Sequence, residues 1–163
     1  MSRPGQLVPL AALLAFSVTA VYRFALLGGN LGGFENDEYL VISRAAAMLR
    51  GELPSRDFVD PGYPLPYVAS RLSLAATGGT LLGHALFSVA MLALGAALTA
   101  VIAMKASGSF LVGLIATFVQ IALGPRLYNY PKIVLYAVAI LGWWAYVDRP
   151  SAAKLVGLGI LTV

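Results

Sequence analysis

The sequence predicts an all-α, polytopic membrane protein, and three observations carry that prediction. Hydrophobic residues make up 60% of the chain, charged residues 11%, and the mean hydropathy is +0.84. A soluble domain normally carries about a quarter charged residues and under half apolar ones. The third observation is where the charges sit: residues 35–71 hold six of the seven acids and four of the eleven bases. One long, charged, proline-bearing segment thus interrupts an otherwise apolar chain. The net charge of +4 and the pI near 9.6 do not point to nucleic acid, because no basic run exists and the bases lie at span ends or in the acidic segment. Membrane lipids, phosphorylated ones included, fit that pattern as partners. With no cysteine, disulfides and thiolate metal sites are excluded.

In chain order, Arg3 precedes an apolar run over 7–27, long enough to span a bilayer. It continues past Arg23 without the short core and small-residue cleavage site of a secretory signal, so an uncleaved first helix is expected. Arg23, near its far end, reads as a snorkelling anchor; a lipid phosphate contact is the sharper alternative. Gly28, Gly29, Gly32 and Gly33 then break the helix and open an outer loop over 28–80. Inside that loop an interfacial helix is expected over 37–50. Asn36 suits the N-cap, and Asp37 and Glu38 fill the first turn, where the helix dipole favours negative charge. Val41, Ile42, Ala45, Met48 and Leu49 share one face, Tyr39, Ser43 and Arg50 the other, and Gly51 supplies the stop. Fourteen residues are too few to cross a bilayer, so this helix is expected to lie in the interface. From Glu52 to Tyr67, Pro54, Pro61, Pro64 and Pro66 read as an ordered, partly extended loop.

Further spans are expected over 81–104, 109–124, 131–147 and 153–163. The second of these new spans is short unless it tilts. The polar interruption GPRLYNYPK carries Tyr128 and Tyr130 at interface depth, and Trp143, Trp144 and Tyr146 form an aromatic belt. The last run stops at Val163, about half of the roughly 20 residues a span needs, which reads as an N-terminal piece of a longer membrane domain. An inside N-terminus places Arg3, Lys105, Arg149 and Lys154 in the cytoplasm and Arg44, Arg50, Arg56, Arg71, Arg126 and Lys132 outside. Raw counting opposes this topology; charge density favours it, because the inner segments are only a few residues each.

The residues with chemical capacity follow from this map. Adjacent carboxylates at a helix start beside a membrane can take a proton from a hydroxyl, or share a divalent cation such as Mg or Mn. Plain helix capping is the competing account of Asp37 and Glu38. Arg126 and Lys132 lie on the same side as the first loop and suit a phosphate; as bland alternatives they anchor the interface. Arg44, two turns after Asp37, could pair with it instead. Asp57 and Asp60 are candidates for acceptor or metal binding, with turn formation beside proline as the plainer role. His84, the single histidine, reads as a helix–helix hydrogen bond rather than a catalyst.

The run NDEYLVISRAAAMLRGELPSRDFVDPGYPLPY resembles the first periplasmic loop of GT-C glycosyltransferases, the superfamily of protein O-mannosyltransferases and aminoarabinose transferases. The features that carry the resemblance are Asp37-Glu38, Tyr39, Gly51, Pro54, Asp57-Phe58 and Pro64-Leu65-Pro66-Tyr67, in that order. The detailed match covers about forty residues, and family members are several times longer than this chain. The resemblance implies a bacterial inner-membrane enzyme with a GT-C-like N-terminal module, its N-terminus cytoplasmic and its first loop periplasmic. It implies transfer of a sugar from a polyprenyl-phosphate donor to a hydroxyl of a lipid, glycan or protein acceptor on the outer face, usually with inversion. Asp37 would be the general base, supported by Glu38, and Arg126, Lys132 and Arg44 would serve the donor phosphate. A transporter or channel segment, or a non-catalytic membrane partner, is the alternative. A transporter should bury ionisable groups within its spans, and here only Arg23 and His84 lie there.

Overall fold

The structure, a computed structural model, describes residues 4–27, 36–60, 64–124 and 126–162. Arg3, Pro61 and the glycines at 28, 29, 32 and 33 lie outside them. Among the described residues seven α-helices follow one another: α1 (Pro4–Leu27), α2 (Asn36–Leu49), α3 (Pro64–Ala76), α4 (Leu81–Ser107), α5 (Phe110–Ala122), α6 (Tyr130–Asp148) and α7 (Ala152–Thr162), with a 3-10 turn at Leu127–Asn129 before α6. Among the described residues there is no strand, only an isolated bridge between Pro54 and Phe58.

Three helical stretches are long and apolar enough to cross a membrane: Leu7–Leu27, Leu81–Ser107 and Leu127–Asp148. Among the described residues, three of the five expected spans meet that length requirement. Helix α5 has 13 residues, about 20 Å at 1.5 Å per residue, against a hydrocarbon core of about 30 Å.

Helix α4 is the hub, packed against α1, α5 and α6. Most of its buried residues are small, Ala85, Ser88, Ala93, Gly95, Ala96, Ala97 and Ala100 beside His84, Val89, Leu92 and Met104, which lets neighbouring backbones approach closely where lipid supplies no hydrophobic drive. A β-carbon on Gly95 would lie 2.6 Å from Ile133 of α6, and one on Gly113 would lie 2.6 Å from Met104 of α4. Thr80 caps α4 by accepting from the Gly83 N–H, and Gly108 ends it at φ 69° with its N–H donated to the Met104 carbonyl.

The proline-rich end of the first loop departs from the expected extended conformation: 64–76 is helical. Pro64 and Pro66 occupy the first turn of α3, where a missing N–H has no intrahelical partner to lose and a fixed φ already suits the helix. Prolines that forbid a helix in its middle start one here. Helix α2 packs on α3, and Val41, Ala47 and Met48 form a small core with Phe58 and Tyr67, covered by Tyr128. Of the face expected to be buried, Val41, Ala45 and Met48 are buried, whereas Leu49 is exposed.

The polar residues divide between the two ends of the bundle. At one end the start of α2 meets the Leu127–Asn129 turn. At the other, Lys105 lies 6.0 Å over the Trp144 ring, and the Lys154 ammonium donates to the carbonyls of Ala145 and Arg149 at 2.7 Å each.

Candidate active site

Asp37 and Glu38 leave the first turn of α2 in different directions, about 100° apart on a helix of 3.6 residues per turn. Glu38 shares the inward face with Val41 and Ala45 and is 4% exposed, while the Asp37 side chain is 59% exposed. Burying a carboxyl is costly unless hydrogen bonds compensate. Glu38 Oε1 accepts the Leu127 N–H at 3.0 Å. That N–H opens a 3-10 turn and is one of the helix-start donors that lack an internal partner. A side chain from the first loop thereby caps a segment 89 residues later.

Asp37 meets the same segment from the solvent side. Its Oδ2 accepts from an Arg126 guanidinium NH at 3.3 Å and from the Tyr128 hydroxyl at 3.3 Å, and the same guanidinium nitrogen lies 3.5 Å from the Tyr128 oxygen. The Arg126 side chain is 48% exposed. One anchored carboxylate and one open carboxylate thus flank a cation and a phenol, at the end of the bundle where α4 and α6 begin.

A second acidic group has a different setting. Asp57 is gripped by Arg56, whose Nε and terminal nitrogen reach its oxygens at 2.6–3.0 Å, and Asp57 Oδ2 also accepts the Leu53 N–H at 2.8 Å. The Arg56 hydrogen bond, followed by that from Leu53, holds the Asp57 carboxyl below its ordinary value. Together these contacts close a turn in which Ser55 takes φ 63°. Asp60 is half-buried at the end of this segment. Arg44 does not pair with Asp37: its guanidinium lies 4.6 Å over the Phe58 ring, because at that position α2 faces the turn rather than its own N-terminus. Lys132 is half-buried in the first turn of α6.

Two groups at the site were not singled out from sequence: the Tyr128 hydroxyl, read there only as an interface aromatic, and the Leu127 N–H. The polar YNY segment between charged residues is the one sequence signal pointing to the former. Below them, Tyr130 fixes the start of α6. Its buried ring packs edge-on to His84 and Phe87 of α4, with centroids at 6.4 and 5.8 Å. His84 Nδ1 lies 3.0 Å from the Ser73 hydroxyl, a hydrogen bond joining α3 to α4. Arg23 is half-buried beside the Tyr22 ring, 6.0 Å away.

An apolar groove of about 370 Å³ runs between α4, α5 and α6. Thr99, Gln120, Leu123, Ile133, Tyr136 and Ile140 are among the residues that line it. Among the described residues no three His, Asp or Glu side chains gather into a metal-donor set. The arrangement offers a proton acceptor (Asp37) beside an anion partner (Arg126). No family model, curated protein or solved structure matches this chain.

Proposed function

We propose that this chain is the N-terminal, catalytic-loop portion of a membrane glycosyltransferase of GT-C type, moving a sugar from a polyprenyl-phosphate donor to an acceptor hydroxyl at the outer face. The observation that carries this reading is the meeting of Asp37 with Arg126 across 89 residues of sequence. A helix-capping role for Asp37 would need no such partner, whereas transfer of a sugar from a phosphate needs a base and a cation in one site, on opposite faces of the sugar.

In the reaction, the acceptor hydroxyl attacks the anomeric carbon from the face opposite the phosphate. Asp37 takes the hydroxyl proton as the new carbon–oxygen bond forms, and the anomeric carbon–oxygen bond to the carrier breaks with its electron pair leaving on the lipid phosphate. Arg126 meets the charge that grows there, with bidentate geometry available to it. The carrier's hydrocarbon chain lies along the groove between α4, α5 and α6. Glu38 acts through its neighbours: by holding the Leu127 N–H it fixes the segment that carries Arg126 and Tyr128. The acceptor is a lipid, a glycan or a protein hydroxyl.

The test is kinetic, on the full-length protein in membranes. Arg126→Ala should raise KM for the lipid-linked donor more than for the acceptor, and Asp37→Asn should lower kcat by about 10²–10⁴, the range of a lost general base. Unchanged donor dependence in the first variant removes the phosphate role, and full activity in the second moves the base elsewhere.

A further inference from the structure

The two carboxylates of the site differ in how firmly they are held. Glu38 is buried under a backbone N–H. Asp37 is linked to Arg126 by a 3.3 Å contact with both side chains about half exposed. Exposed pairs of this kind are weak and open readily. A phosphate offers a guanidinium two parallel hydrogen bonds in a matched plane, a better partner than one long contact to a carboxylate oxygen.

We propose that the Arg126–Asp37 ion pair is a latch that a lipid-borne phosphate opens: the donor's phosphate takes Arg126, and Asp37 is released to act on the acceptor. This rests on the reading of Arg126 as phosphate partner and Asp37 as base. Asp37 Oδ2 receives two donors in the closed state, from Arg126 and from the Tyr128 hydroxyl. Losing the guanidinium leaves that oxygen a lone pair for the proton of an incoming hydroxyl. Tyr128 stays beside Asp37 and keeps its orientation, while Glu38 keeps the Leu127–Asn129 turn in place as the arginine swings. The consequence is an ordered reaction, donor before acceptor. The base is engaged with Arg126 whenever no lipid-borne phosphate is bound.

Two binding measurements on the full-length protein in nanodiscs read the latch without any sugar transfer. The probes are polyprenyl phosphate in the bilayer and, separately, inorganic phosphate in solution. Asp37→Asn removes this carboxylate as a competitor and should tighten polyprenyl phosphate binding by about two- to fivefold, the worth of an exposed ion pair; Arg126→Ala should weaken it. In the wild-type chain, polyprenyl phosphate should raise carbodiimide modification of Asp37, read by peptide mass, with Asp57 as the unresponsive internal reference. Unchanged or weaker binding in Asp37→Asn, or Asp37 modification that does not rise, overturns the latch. An equal rise with inorganic phosphate at matched concentration overturns the lipid headgroup as the ligand. A working latch without sugar transfer from any lipid-linked donor removes the transferase reading and leaves the exchange standing; transfer with Asp37 modification indifferent to the donor overturns the latch alone.

Discussion

Two arginine–aspartate pairs sit in the polar half of this molecule, and they are built in opposite ways. Arg56 and Asp57 are neighbours in sequence, bonded at 2.6–3.0 Å through several atoms. Arg126 and Asp37 are 89 residues apart and meet at 3.3 Å through one. By geometry alone the first pair is the better ion pair, yet adjacent residues need no fold to find each other, and with the Leu53 N–H the first pair closes a turn. The second exists only because α2, α4 and α6 are packed as they are. A weak contact that requires the whole architecture says more about a site than a strong one made locally, since exposed pairs of either kind add little stability.

The contrast breaks most visibly in activity. With Asp37→Asn costing about 10²–10⁴ in sugar transfer, Asp57→Asn in the same membranes should leave the transfer rate near wild type. Equal losses at both positions would erase the distinction between catalytic and turn-forming acids. A smaller effect tests how the distant pair is kept in register. Glu38→Ala leaves the Leu127 N–H without this acceptor in a partly buried setting, which should lower stability by about 1 kcal/mol, measured by thermal unfolding in detergent. Glu38→Gln, which retains an acceptor oxygen, should recover most of that loss.

The smallest effect belongs to the local pair and is a pH effect. Arg56 holds the Asp57 carboxyl below its ordinary value of 3.8. A depressed carboxyl stabilises the folded turn above that ordinary value, and the stabilisation fades as pH falls through the lower, folded-state value. The protection of the Leu53 and Ser55 amides, taken relative to their intrinsic exchange rates at each pH, should therefore fall as the pH drops below 3.8 and stay constant between neutral pH and 5. The size of the change is modest because the pair is solvent-exposed.

Much of the scaffold was legible in the residues because it follows from periodicity and hydropathy. The apolar runs gave the three long helices, and the capping residues Asn36 to Glu38 with the spacing of Val41, Ala45 and Met48 marked α2. Helix α3 was misjudged because proline was read as a breaker without regard to position; Pro64 and Pro66 lie where a helix tolerates them. The split between an exposed Asp37 and a buried Glu38 was not legible. First-turn acids satisfy the dipole equally well on either face, and only the packed segment from Arg126 to Tyr128 decides which one is covered. Topology could put Arg126 on the same side as Asp37, but not in contact with it. The Leu127 N–H left no sequence trace at all, since every residue but proline carries one.

The central claim is that the start of α2 and the Arg126–Tyr128 segment form one site on the outer face. The 163 residues contain no cysteine, so a pair introduced as Asp37→Cys and Arg126→Cys has no competing thiol within this stretch, and any cysteine elsewhere is first replaced by serine. A short bis-thiol reagent that cannot cross membranes, added to the outer side of intact cells, should join the two within a single chain, as an intramolecular cross-link in the peptide map. No link on either side of the membrane, or a link that forms only after the membrane is opened, would contradict it.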